Sequence, residues 1–135
     1  MKVVLDTNVL VSGMLKPFSI PGEILRRVGS GLLTLCFDAR ILAEYREVLN
    51  RPKFKLDRDD VSIVLEYIQE SGEWGLTSTL LQKLPDRDDE AFLEIALGSK
   101  VKYLITGNKK DFPLRKEYKI SVVTPREFIE ITSSH

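Results

Sequence analysis

Short apolar strands alternating with amphipathic helices predict an α/β fold, a central parallel β-sheet flanked by helices on both faces. Two observations carry that expectation. The strand candidates KVVL (2–5), LLTLCF (32–37), KYLIT (102–106) and ISVVT (120–124) are almost continuously apolar rather than alternating, as strands covered on both sides are. Between them, apolar residues recur at helical spacing, opened by Asp or Pro. At 135 residues the chain suits one domain, residues 1–135, with no repeat, linker or low-complexity tract.

Taken in order, KVVL stops at Asp6 and reads as a buried strand. Thr7 or Asn8 is then placed to cap a short helix before Gly13. Pro21 suits a helix start, with Ile24, Leu25 and Val28 at helical spacing until Gly29 and Gly31 end it. LLTLCF is the second strand. Asp38 is the expected N-cap of a helix reaching about Asn50, with Ile41, Leu42, Tyr45, Val48 and Leu49 on one face. DRDD (57–60) opens another helix, striped by Val61, Val64, Leu65 and Ile68. GLTST (75–79) is expected as a short strand, and Asp88 or Asp89 as the start of a helix carrying Phe92, Leu93 and Ala96. KYLIT and ISVVT complete the strands, and Pro125 opens a terminal helix with Phe128 and Ile129 inward.

Two scarcities narrow the chemistry. The one Cys, Cys36, lies inside LLTLCF and reads as a core residue, so intrachain disulfides and cysteine clusters are excluded. The one His is His135, the last residue, beyond a Ser-Ser tail. Ser-His-Asp, Cys-His and His-rich zinc chemistry are thereby excluded, leaving carboxylates, hydroxyls and lysines. No apolar run approaches the roughly 20 residues that cross a bilayer, and MKVVLDTN turns acidic too early for a signal peptide, so a cytoplasmic protein is expected. The formal net charge is zero, yet RPKFK (51–55) and the segment from Lys109 to Lys119 are locally basic.

In parallel α/β sheets, ligands collect outside the carboxyl ends of the strands. Asp6 ends the first strand there. Asn108 and Asp111 follow KYLIT, in YLITGNKKDF. Asp89 opens the helix leading into that strand, on the side of its apolar stripe, and Glu44 flanks the buried stripe of its own helix. Acids converging at one edge repel unless a cation sits among them, and oxygen-only ligands select Mg²⁺ or Mn²⁺ over zinc. Taken singly, each has an ordinary reading as a cap, loop or surface residue; their common position is what joins them.

VVLDTNVLVSG at the N-terminus, AEYREVLNRPKF (43–54), DRDDEAFLEIAL (86–97), YLITGNKKDF and VVTPREFI (122–129) together resemble the PIN-domain proteins, most of all the branch of toxins in toxin–antitoxin pairs. The resemblance runs nearly end to end, with the motifs in the family's order. It implies helices sandwiching a parallel sheet, and Mg²⁺- or Mn²⁺-dependent cleavage of single-stranded RNA. The family's acids fall on Asp6, Glu44 and Asp89, and a second aspartate of the late segment on Asp111. Thr7 and Asn8 match residues that hold the first acid, and Thr106 a polar residue near the site. An antitoxin protein and a homodimer are the partners it implies, while Arg51, Lys53, Lys109 and Lys110 are the candidates for meeting RNA.

The sequence departs from the family where a fourth acid usually follows the Thr-Gly of the strand end, a place held by Asn108. A neutral amide accepts hydrogen bonds and coordinates weakly but carries no charge. A catalytically weakened PIN-fold protein that binds RNA or a protein is therefore the alternative, and gain of activity in Asn108→Asp would show that the amide is limiting. An aspartyl phosphatase fits less well, since its nucleophile is followed two residues later by another Asp, where Asn8 stands.

Overall fold

Each apolar run folds as a strand, and all strand pairings are parallel. The computed structural model describes residues 1–133, so His135 lies outside the described residues. In chain order the elements are β1 (Lys2–Leu5), α1 (Thr7–Leu15), α2 (Ile20–Gly29), β2 (Thr34–Phe37), α3 (Ala39–Leu49), α4 (Arg58–Ser71), β3 (Glu73–Trp74), α5 (Glu90–Gly98), β4 (Tyr103–Ile105), β5 (Ser121–Val123) and α6 (Pro125–Ser133). Single 3₁₀ turns stand at Pro52–Phe54, Arg87–Asp89 and Lys109–Asp111.

The sheet order is β3-β2-β1-β4-β5. From β1 the chain steps outward through β2 to β3, with α1–α2 and α3–α4 in the connections. It then crosses back to β4 through α5. Right-handed crossovers put helices of the outward steps on one face and the returning helix on the other. Accordingly α5 packs against β1, β2 and β4, while α2 packs against α1 and α6. Leu35 of β2 lines a small apolar cavity with Leu10, Leu25 and Ile68 on the first of these faces. Val3, Val4, Leu5, Leu104 and Ile105 are fully buried between the layers, as is the free thiol of Cys36.

Local chemistry sets the helix starts. The side chains of Ser19, Asp38 and Asp57 accept from the first-turn amides of α2, α3 and α4. Thr124 and Glu127 form a reciprocal capping box at α6, with bonds of 2.9 and 3.1 Å. At α1 the cap is Asp6, not Thr7 or Asn8, and the helix runs through Gly13 to Leu15. A Cβ on Gly13 would lie 2.6 Å from Leu25 Cδ1, so the glycine is what lets α1 and α2 close on each other.

One expected strand is elsewhere. Residues 75–79 are irregular, and the strand beside β2 is Glu73–Trp74. Gly75 N–H still donates to Phe37 O at 2.7 Å, but the chain then turns across α5. Leu76 N–H donates to Ser99 Oγ and Ser78 N–H to Glu94 O, at 3.0 and 3.1 Å. This crossing needs Gly98, whose added Cβ would sit 1.9 Å from Leu76 O. A packing contact with α5 therefore outcompetes the β propensity of the segment. Among the described residues, no helix is long and apolar enough to cross a membrane.

Candidate active site

The carboxyl ends of β1 and β4 lie side by side, with Leu5 paired to Ile105, and the chain leaves both as polar segments. Asp6 is the first residue past β1. It is 5% exposed, and both carboxylate oxygens have donors: Thr7 N–H to Oδ1 at 2.8 Å and Thr106 Oγ–H to Oδ2 at 2.7 Å. Thr106 itself is fully buried beneath the site. Burial pushes the Asp6 carboxyl above its ordinary range, those two bonds pull it back, and nearby Asp111 adds to the rise. Asn8 Oδ1 accepts from Gly107 N–H at 3.4 Å, tying the start of α1 to the turn after β4.

Glu44 reaches the same place from α3. Thr7 Oγ–H donates to Glu44 Oε2, so one threonine joins the first and second acids through its amide and its hydroxyl. Partial burial raises the Glu44 carboxyl, and Asp6, Asp88 and Asp86 raise it further against the Thr7 bond. Under both acids lies Tyr45, wholly buried, whose hydroxyl donates to Leu5 O at 2.5 Å. That bond pins α3 to the end of β1.

Asp89 closes the 3₁₀ turn ahead of α5, half-buried, and its side chain accepts no hydrogen bond from any described residue. Burial comes first, then the charges of Asp6, Asp86, Asp111 and Glu44, and together they push its carboxyl up to about 7. Asp111 comes from the 3₁₀ turn after β4. An open cleft of about 530 Å³ is lined by Asp6, Thr7, Asn8, Glu44, Asp89 and Asp111 together with Arg51.

Asn108 is not on that lining. It caps the turn Lys109–Asp111: its Oδ1 accepts from Lys110 N–H at 3.3 Å, and its Nδ2 donates to Asp111 Oδ1 at 3.2 Å. The amide is thus a holder of the last acid. Lys53, Lys109 and Lys110 also stand outside the lining; Lys109 pairs with Glu127, and Lys53 lies over the Phe54 ring. Two acids that sequence reasoning did not assign to the site, Asp86 and Asp88, are on the cleft wall. The available signal was DRDD at 86–89, three acids in four positions, of which only Asp89 is assigned to the site from the sequence.

The donor set fits a hard divalent cation. It is made of carboxylate oxygens whose repulsion no neighbouring lysine relieves, and the one basic side chain on the wall, Arg51, already pairs with Glu47. Among the described residues, no three acids are drawn together tightly enough to hold an ion as they stand. Asp6 is fixed by its bonds, so closing round a cation would fall to Asp89 and Asp111.

Fold and cleft define an α/β protein with a carboxylate site at the carboxyl edge of a parallel sheet. A PIN domain family model matches residues 2–110, and the chain belongs to the PIN-domain family. The matched span includes every acid of the cleft except Asp111, one residue beyond it. The uncharacterized protein MJ1680 of Methanocaldococcus jannaschii is 31% identical over 140 aligned positions, covering 96% of this chain and 90% of that one. PIN domains are generally nucleases and generally use divalent metals.

Proposed function

We propose that the chain is a Mg²⁺- or Mn²⁺-dependent endoribonuclease acting on single-stranded RNA. One observation carries this reading: Asp6, Glu44, Asp89 and Asp111 arrive from four separate elements on one cleft. Asp6 and Asp89 would hold the ion, with Asp111 in support; when bound, it would neutralise phosphodiester charge and make a water more acidic. Thr7 and Thr106 keep Asp6 in one orientation. Glu44 Oε1, the oxygen not engaged by Thr7, is left to take a proton from the attacking water.

The test is incubation of single-stranded RNA with the protein and Mn²⁺, beside Asp6→Asn and Asp89→Asn. Cleavage is expected from the wild type alone; equal cleavage by both variants would rule out this cleft as its source. The neutral Asn108, and acids not yet closed on one point, favour a second reading as a non-catalytic RNA- or protein-binding member. Calorimetric titration separates the two, because that reading expects no Mn²⁺ uptake at millimolar concentration. The order of the motifs supports extending the proposal to a cytoplasmic toxin, covered at the cleft by a small antitoxin protein and self-associating as a homodimer. Growth arrest on expression, relieved by Asp6→Asn, is the outcome expected.

A further inference from the structure

The cleft has two ends of opposite chemistry. On one wall, Asn8, Val11, Ser12 and Leu15 stand at i, i+3, i+4 and i+7 along α1. On the other, Glu44, Val48 and Arg51 stand at i, i+4 and i+7 along α3 and its exit, followed by Phe54. Both helices leave parallel strands, and the bond from Thr7 to Glu44 ties them where the acids are. From Thr7 to Leu15 the helix rise carries the wall about 12 Å away from that bond. The far end holds no carboxylate of either helix stripe. There the two walls carry Leu15, Val48, the half-buried Phe54 and the guanidinium of Arg51, while Asp86 and Asp88 line the cleft from the segment ahead of α5.

The RPKF segment builds that end. Pro52–Phe54 is a single 3₁₀ turn closed by Lys55 in the left-handed region at φ 53°. It packs the Phe54 side chain partly against the core while leaving it on the cleft wall. Lys53 Nζ lies over the ring, 5.0 Å from its centre, so a base stacking on that face would displace the ammonium toward the strand's phosphates. Arg51 is held by Glu47 through Nε and Nη2 at 3.1 and 2.8 Å, while its Nη1 makes no bond to a described residue. An aromatic ring on a fixed turn, flanked by cations, is the arrangement that binds unpaired nucleic acid: the base stacks and the backbone meets the charges.

We infer that this end of the cleft is a nucleobase subsite, with Phe54 as the stacking platform and Arg51 beside it. It would take an unpaired base of the strand whose phosphodiester lies at the acids. A helical duplex keeps its bases stacked on each other, so the subsite selects single strands. This inference rests on the nuclease reading for the identity of the strand, but its test does not depend on turnover.

The probe is a fluorescent, unpaired oligouridylate of about ten nucleotides, titrated with EDTA present so that none is cleaved. Phe54→Leu is expected to weaken binding about tenfold, and Phe54→Tyr to retain it. Phe18→Ser removes a ring that is 98% exposed but outside the cleft, and should leave affinity unchanged. Equal affinity of Phe54→Leu and wild type overturns the subsite, as does an equal loss in Phe18→Ser. A second readout covers disturbance of the fold. With Trp74 replaced by Phe, the emission of a Phe54→Trp variant should be quenched by the oligouridylate and not by an abasic ribose-phosphate chain of the same length. Quenching by both overturns stacking. Phe54-dependent binding without any Mn²⁺ cleavage would keep the subsite and sink the nuclease; cleavage by wild type with no Phe54 dependence would do the reverse.

Discussion

The β1–α1 junction and the 3₁₀ turn ahead of α5 each put an aspartate on the same cleft, but in unlike states. Asp6 is the more buried, yet each of its oxygens accepts a short hydrogen bond. Asp89 is less buried and accepts none, so nothing offsets its repulsion by Asp6, Asp86, Asp111 and Glu44. Burial alone does not decide how strained a carboxylate is; its donors do. Asp6 belongs to the scaffold as much as to the site. Asp89 is a charge the fold leaves waiting for a partner.

Neutralising either acid should have the largest effect. Asp6→Asn and Asp89→Asn are each expected to lower Mn²⁺-dependent cleavage of single-stranded RNA by more than about a hundredfold, the upper cost of removing a mere outer-shell partner. Their stabilities should diverge. In Asp6→Asn one acceptor becomes an NH₂ facing Thr7 N–H or Thr106 Oγ–H, costing about 1–3 kcal/mol. Asp89→Asn should stabilise the metal-free protein at neutral pH, because it removes a repelled charge and breaks no bond. Thermal melts without metal check both, and an Asp89→Asn protein that melts below wild type would break the comparison.

Thr106→Val tests the donors directly. The substitution keeps the shape but deletes the bond to Asp6 Oδ2. If orientation of Asp6 matters, Mn²⁺ affinity measured by calorimetry should fall about ten- to a hundredfold. Unchanged affinity would mean that Thr7 N–H alone holds the carboxylate.

The pH dependence of stability should carry the signature of Asp89. Its carboxyl keeps a proton up to about 7 when folded, against an ordinary value of 3.8. Between those values the folded chain binds the extra proton, so stability from this group is full at low pH and declines as pH rises through 7. Carboxylates held by hydrogen bonds, such as Glu127 with Thr124 N–H and then Lys109, act in the opposite sense and at lower pH. The metal-free melting temperature is therefore expected to drop by a few degrees from about pH 5 to 7 in wild type and by less in Asp89→Asn, where the raised carboxyls of Asp6 and Glu44 still act in the same sense. Added Mn²⁺ should restore it by binding only the folded state.

Much of this comparison was legible in the residues. Asp6 follows a continuously apolar run, so the end of the strand and the place of the acid come together. Glu44 and Asp89 could be placed because amphipathic helices show their buried side. What stayed hidden depends on contacts distant in sequence. The path of residues 75–79 is set by Gly98 and Ser99 of the α5 end, and the positions of Asp86 and Asp88 by the irregular chain that follows. No periodicity reports such a segment. The role of Asn108 was hidden for a shorter-range reason: whether its side chain reaches the cleft or its own turn depends on the 3₁₀ geometry of three residues.

That geometry bears on the outcome of Asn108→Asp. The amide donates to Asp111 Oδ1 at 3.2 Å, and of these two residues Asp111 alone lines the cleft. In Asn108→Asp the donor is lost and two carboxylates face each other at that distance. The new acid can still cap Lys110 N–H through its remaining oxygen. Asp111 should therefore swing away while the turn survives, lowering cleavage several-fold, a smaller effect than loss of Asp6 or Asp89 because Asp111 is a supporting acid. Asn108→Ser, which keeps a donor and a cap without the charge, should fall between Asn108→Asp and wild type. Rates for the two variants at saturating Mn²⁺ decide the point. A gain of activity in Asn108→Asp would return Asn108 to the role of an absent metal ligand, and would mean that the bond to Asp111 gives way when an ion is bound.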